Sequence, residues 1–237
     1  MSNQSIQKFI ENNKLKTPEI IPGKSALLII DMQEYQVRKK WASYKLTNAG
    51  IPGVLDYFME QSVSVVEPNI RKLIDFYREN GLQIIYTMFS SLDIDGKDLN
   101  RGLRDVNKTA RQFVGDPIFP HKDHPGSKIV DSLKPDEHDL IVHKSTSNVF
   151  VSTKIELILK NMGIEQLFIT GVVTNGCVEG AARTAADLGF DVFLVDDACG
   201  AWSPEIHKNS LQSISLWYGF VMRTDEALSG LREKISS

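Results

Sequence analysis

The chain has 237 residues, 42% hydrophobic and 24% charged, with a net charge of −3. At roughly 150 residues per domain, that length allows one large domain or two small ones. It can bury a core without disulfides or metals. The composition excludes global disorder, a collagen-like repeat and a disulfide scaffold, and without a basic excess neither nucleic acid nor a membrane is an expected partner.

Residues 1–23 read as a polar N-terminal extension without the apolar stretch of a secretory signal. No apolar run approaches the roughly 20 residues of a membrane span. Two cysteines, Cys177 and Cys199, are too few for a disulfide framework, and their spacing fits neither a redox pair nor a zinc knuckle. A cytoplasmic protein is the expectation.

Ser25 to Ile30 is nearly all apolar and reads as a strand buried on both faces, ending at Asp31. Tyr35 to Phe58 has no clean period. Val63 to Asn80 carries Val66, Ile70, Leu73, Ile74 and Tyr77 at helical spacing, with Gly81 as the stop. Leu82 to Met88 is the second strand, and the crossover forces parallel pairing. Phe89 to Glu137 is a long irregular piece, of the kind that often carries function.

Asp139 to Val142 is a short strand, followed by a helical stretch from about Val151 to Met162. Gln166 to Thr170 is a strand, Cys177 to Leu188 a helix, and Phe190 to Val195 a strand ending at Asp196-Asp197. Pro204 opens a helix to about Tyr218, and Phe220 to Met222 reads as an edge strand. The expected fold is a single α/β domain over residues 24–237. It is doubly wound, with a mostly parallel sheet of five or six strands and helices on both faces.

In such sheets ligands bind beyond the carboxyl ends of the strands. Three of those ends hold a carboxylate, an ammonium and a thiol: Asp31, Lys144 and Cys177. A thiol attacks as the thiolate, which a neighbouring lysine and a helix N-terminus both favour. An aspartate can accept the thiol proton and pass it to a leaving nitrogen. Backbone N–H groups between Gly171 and Cys177 can hold an oxyanion. Taken singly, each residue has a plainer reading: a strand-ending cap, a solvated lysine, a small buried hydrophobe.

Three segments together resemble the isochorismatase-like cysteine hydrolases. They are Leu28-Ile-Ile-Asp31-Met-Gln33, Lys144-Ser-Thr-Ser-Asn-Val-Phe150-Val-Ser-Thr153 and Thr170-Gly-Val-Val-Thr-Asn-Gly-Cys177-Val-Glu179. The superfamily includes nicotinamidases and N-carbamoylsarcosine, ureidoacrylate and biuret hydrolases. The resemblance runs from about Lys24 to Met222 and is most specific at the cysteine loop. It implies Asp31 as general base, Lys144 as electrostatic partner and Cys177 as nucleophile. It also implies a cis peptide between Val172 and Val173, with the N–H groups of Val173 and Cys177 as the oxyanion hole. The implied activity is hydrolysis of a C–N bond in a small amide or ureido compound through a thioester or thiocarbamate. Vinyl-ether cleavage and a non-catalytic member of the fold are the competing readings. A small-molecule substrate and a homo-oligomer, dimer or tetramer, are the implied partners.

The region after the second strand has no histidine, which departs from the nicotinamidase metal pattern. His121 and His124 read as solvated loop residues. No metal and no cofactor are expected. Tyr35, Trp41, Phe150 and Asn175 are candidate substrate contacts, with Trp202 and Asn148 as further candidates. Each aromatic has plain core packing as its alternative. Glu179 and Arg183 suit an intrahelical ion pair, Cys199 reads as structural, and His207 as structural or a subunit contact.

Overall fold

The computed structural model describes residues 16–236. The expected extension at 1–23 therefore lies mostly outside the described residues. The first strand forms as read: β1 is Ser25–Ile30, with all six residues buried. The others are β2 (Gln83–Phe89), β3 (Leu140–Lys144), β4 (Gln166–Val172), β5 (Asp191–Gly200) and β6 (Phe220–Met222). They form one six-stranded sheet in the order β3-β2-β1-β4-β5-β6, and every pairing is parallel.

Side chains alternate across a strand, so β1 feeds two cores. Leu27 and Ile29 enter one, and Ala26, Leu28 and Ile30 enter the other. On the first face lie α4 (Glu67–Glu79), through Ile70, Leu73, Ile74 and Tyr77, and α10 (Thr224–Ile235), through Ala227, Leu228 and Leu231. On the second lie α7 (Ile155–Asn161), α8 (Glu179–Asp187) and α9 (Pro204–Trp217). Burial on both faces explains the continuous apolar runs of β1 and β4.

The remaining helices sit where the sequence shows little period. They are α1 (Glu34–Val37), α2 (Ala42–Gly50), α3 (Asp56–Gln61), α5 (Arg101–Val114) and α6 (Val149–Ser152). Helix α5 lies inside the stretch expected to be irregular. Asn100 caps it and Gly115 stops it at φ 76°; Leu103, Val106, Ala110 and Phe113 recur at helical spacing, although only Asn107 and Ala110 are buried. The helix expected from Val151 to Met162 is two helices. Thr153 is extended, and its hydroxyl donates to Val149 O and accepts from Ile155 N. A π turn at Ser62–Val66 joins α3 to α4. Helix α10 is an element that the sequence reading did not place. Among the described residues no helix is long and apolar enough to cross a membrane.

Candidate active site

Asp31, Lys144 and Cys177 come together at the carboxyl edge of the sheet. β1 ends in a tight turn, in which Asp31 takes a φ of 52° and its N–H donates to Thr87 O at 3.2 Å. Gly171 pairs with Ile30 across β4 and β1. A Cβ on Gly171 would stand 2.1 Å from Ile30 O, so only glycine lets the two strands close beside Asp31. Lys144 is the last residue of β3. β4 leads through a cis peptide between Val172 and Val173, as the resemblance implied. A π turn (Thr174–Val178) follows and feeds α8.

Asp31 and Lys144 are wholly buried, and Cys177 keeps 7% exposure. Lys144 Nζ lies 2.7 Å from Asp31 Oδ2. Its directed hydrogen bonds go to Ser147 O at 2.8 Å and Thr146 O at 3.2 Å. Asp31 Oδ1 accepts from Thr87 Oγ1 at 2.7 Å, while Oδ2 has no directed hydrogen bond among the described residues. That oxygen keeps a lone pair for a proton. The ammonium also sits 4.4 Å from the Phe89 ring centroid, a cation–π contact. A buried ion pair costs much desolvation, so these extra contacts help to hold it.

Burial pushes the Cys177 thiol up from an ordinary 9.0 to about 12; the Asp31 carboxylate adds to the rise and Lys144 opposes it. Lys144 favours the thiolate, as read from the sequence, but burial and the Asp31 carboxylate outweigh it. The thiol is neutral at rest, and its proton must be removed during reaction. Ser147 Oγ is 3.5 Å from the sulfur. For Lys144, burial works against the charge, but Asp31 and Cys177 outweigh it and raise its pKa.

Tyr35 is buried beside this group. Burial first, then the charges of Asp31 and Cys177, push its phenol well above the ordinary value. Its hydroxyl donates to Phe89 O at 2.8 Å and accepts from Gln36 Nε2 at 2.9 Å, so it is tied to protein rather than turned outward. Trp41 packs on His124, with 5.3 Å between ring centroids, and its Nε1 donates to Glu34. Phe150 packs on Phe190. Asn175 is exposed on the π turn. Among the described residues no hydrogen bond or ring contact ties Trp41, Phe150 or Asn175 to the central three. Asn148 caps α6 through Phe150 N and donates to Thr184 Oγ1.

The π turn is anchored from behind. Thr174 Oγ1 and His207 Nδ1 are 2.8 Å apart, and His207 Nε2 is 2.8 Å from Asp196 Oδ1. The His207 hydrogen bond holds the Asp196 carboxyl below its usual range. Glu179 and Arg183 form the expected intrahelical pair at 2.7 Å. His121 faces Leu92 O, and His124 faces Gly126 N and Asp116. Among the described residues no three His, Cys, Asp or Glu side chains group as a metal site.

Thr87, Phe89 and Ser147 contact the central group and were not singled out from sequence. The signal for Thr87 was register: in the parallel β1–β2 pair it stands opposite Ile30, one residue before Asp31.

Comparison with known proteins identifies the family. The family model described as the isochorismatase domain matches residues 25–226. A ureidoacrylate amidohydrolase of Acinetobacter baylyi is 24% identical over 237 residues, covering 87% of this chain and 83% of its own length. Nicotinamidase 3 of Arabidopsis thaliana is 23% identical over 199 residues, covering 82% of this chain and 93% of its own. The crystal structure of a cysteine hydrolase from Pseudomonas syringae pv. phaseolicola superposes with a TM-score of 0.73 at 22% identity, covering 93% of this chain and 98% of its own. This chain belongs to the isochorismatase family.

Proposed function

We propose that the protein is a cysteine-dependent hydrolase of a C–N bond in a small amide or ureido compound. The observation that carries this is the Cys177 thiol beside an Asp31 carboxylate held by a fully buried lysine. The amidohydrolase names of two relatives support the same bond type.

Asp31 takes the thiol proton as the sulfur bonds to the carbonyl carbon. The negative charge moves to the carbonyl oxygen, which the N–H groups of Val173 and Cys177 receive. The C–N bond breaks as Asp31 returns the proton to the departing nitrogen, leaving a thioester or, from a ureido compound, a thiocarbamate. Water then gives a proton to Asp31 and bonds to the same carbon. The C–S bond breaks and the thiol regains its proton. Lys144 keeps a positive charge beside Asp31 at every stage, and its three contacts hold the carboxylate in place. Because the thiol is neutral at rest, attack and proton transfer are coupled.

The test is release of ammonia or amine from a panel of neutral amides, N-carbamoyl compounds and ureido acids. Cys177→Ala should lose turnover entirely, and Asp31→Asn should lose about 10³-fold or more in kcat, within the range for removing a catalytic base. Undiminished release by Cys177→Ala would refute the proposal.

A further inference from the structure

A cavity of about 420 Å³, a size suited to a small-molecule pocket, for which roughly 300–1,000 Å³ is usual, lies two contacts away from Lys144, through Phe119 and Phe89. Its walls include Leu46, Leu103, Val106, Ile118, Phe119 and Trp202. Among the described residues no charged side chain lines it. Apart from the Trp202 indole N–H, its polar side chains already have partners. Ser43 Oγ donates to Tyr35 O, Thr47 Oγ1 donates to Ser43 O, and Gln36 Nε2 donates to the Tyr35 hydroxyl.

Two chains of contacts lead from the cavity wall toward the reacting groups. The Phe119 ring is 5.1 Å from Phe89 and 6.3 Å from Tyr35, centroid to centroid. Phe89 carries the Lys144 ammonium on its face, and Tyr35 feels the charges of Asp31 and Cys177. On the other side Phe58, also in the cavity wall, reaches Gly200. A Cβ at Gly200 would meet its ring at 3.5 Å and Val172 at 3.3 Å. Val172 directly precedes the peptide whose N–H is assigned to the oxyanion.

Trp202 is 46% exposed and Val106 40% exposed. Apolar surface left open next to a nucleophile gains by being covered with apolar ligand. A carboxylate entering there would lose its hydration and find no cation to replace it.

We propose that this cavity is the subsite for a neutral apolar group of the substrate, so that the substrate class is uncharged alkyl- or aryl-bearing amides or ureas rather than carboxylate-bearing ones. The proposal rests on the C–N hydrolase reading for its chemistry, but the subsite can be tested by binding alone. Acetamide, butyramide, hexanamide, phenylacetamide and succinamate are titrated calorimetrically into the Cys177→Ala protein, and the same compounds are offered to the wild type for hydrolysis.

Affinity should rise roughly fourfold per added methylene until the cavity is full, as burial of each methylene group implies. Succinamate should bind at least tenfold more weakly than hexanamide, and Leu103→Lys should flatten the gradient. Val106→Lys, at a position already open to solvent, repeats the test if the first variant does not fold. A flat series, tighter binding of succinamate, or a gradient untouched by a lysine in the wall would overturn the subsite. Binding with the gradient but no hydrolysis would refute the hydrolase reading and leave the subsite standing. Cysteine-dependent hydrolysis without the gradient would do the reverse.

Discussion

At the scale of single residues the site depends on what burial does to a thiol. Asp31 and desolvation hold the Cys177 proton up to about pH 12, so the resting site carries a neutral nucleophile beside its base. Alkylation by iodoacetamide should then be slow at pH 7 and keep rising through pH 9 and beyond, measured as a rate-versus-pH profile. A profile with its midpoint near pH 9.0, the ordinary cysteine value, would show an unperturbed thiol. The same shift affects stability. An unfolded thiol ionises near 9.0 while the folded one does not, so stability should fall as pH rises from 9.0 toward 12. Urea titrations of Cys177→Ala should lack that component. Gly171 is the other critical residue, because a Cβ there would run into the backbone of Ile30. Gly171→Ala combines that clash with a φ of +106°. It should lower stability by about 3 kcal/mol or more, at the upper end for point substitutions, read from chemical denaturation.

At the scale of elements, the strands were legible because doubly buried strands are runs of apolar residues that need no partner to be recognised. β1 is identical to its sequence reading, and β6 likewise. Helices with a core-facing stripe, such as α4, were legible to within a few residues. Those around the site were not: α5 carries Leu103, Val106, Ala110 and Phe113 at helical spacing, but lies inside a long stretch whose turn signals read as irregular. The break between α6 and α7 turns on one Thr153 side chain competing for backbone groups, which no helical pattern reports. The reacting three were legible through their positions at strand ends together with a family resemblance. Thr87 and Phe89 needed the register of neighbouring strands, and Ser147 the turn that follows β3.

The π turn that presents Cys177 depends on α9 through His207. His207→Ala should lower stability by about 1–2 kcal/mol, the range for a hydrogen bond to a charged group that is partly exposed. The Asp196 carboxyl is held down by this bond, so its contribution is present above the ordinary 3.8 and is lost as pH falls from there. Acid unfolding of His207→Ala should lack that component, a difference that denaturation midpoints at pH 6 and pH 3 would show.

At the scale of the whole molecule, a six-stranded parallel sheet covered on both faces brings the ends of β1, β3 and β4 to one edge. The rigid sheet sets the distances between carboxylate, ammonium and thiol, while the loops and short helices α1, α2 and α5 form the cavity beside them. Chemistry and selectivity thus reside in different parts of the fold. The first is anchored in the doubly buried core and the second in segments with little burial of their own. Substitutions in the cavity wall should therefore change which amide is accepted more than they change the rate-limiting chemistry. The central claim is that Cys177 becomes covalently bonded to the substrate carbon. Acid-quenched turnover of a neutral amide, followed by mass spectrometry of the intact chain and of the peptide holding Cys177, tests this most directly. The account predicts a mass increase equal to the acyl group, confined to that peptide and removed by hydroxylamine. Steady hydrolysis with Cys177 unmodified, or continuing in Cys177→Ala, would contradict it.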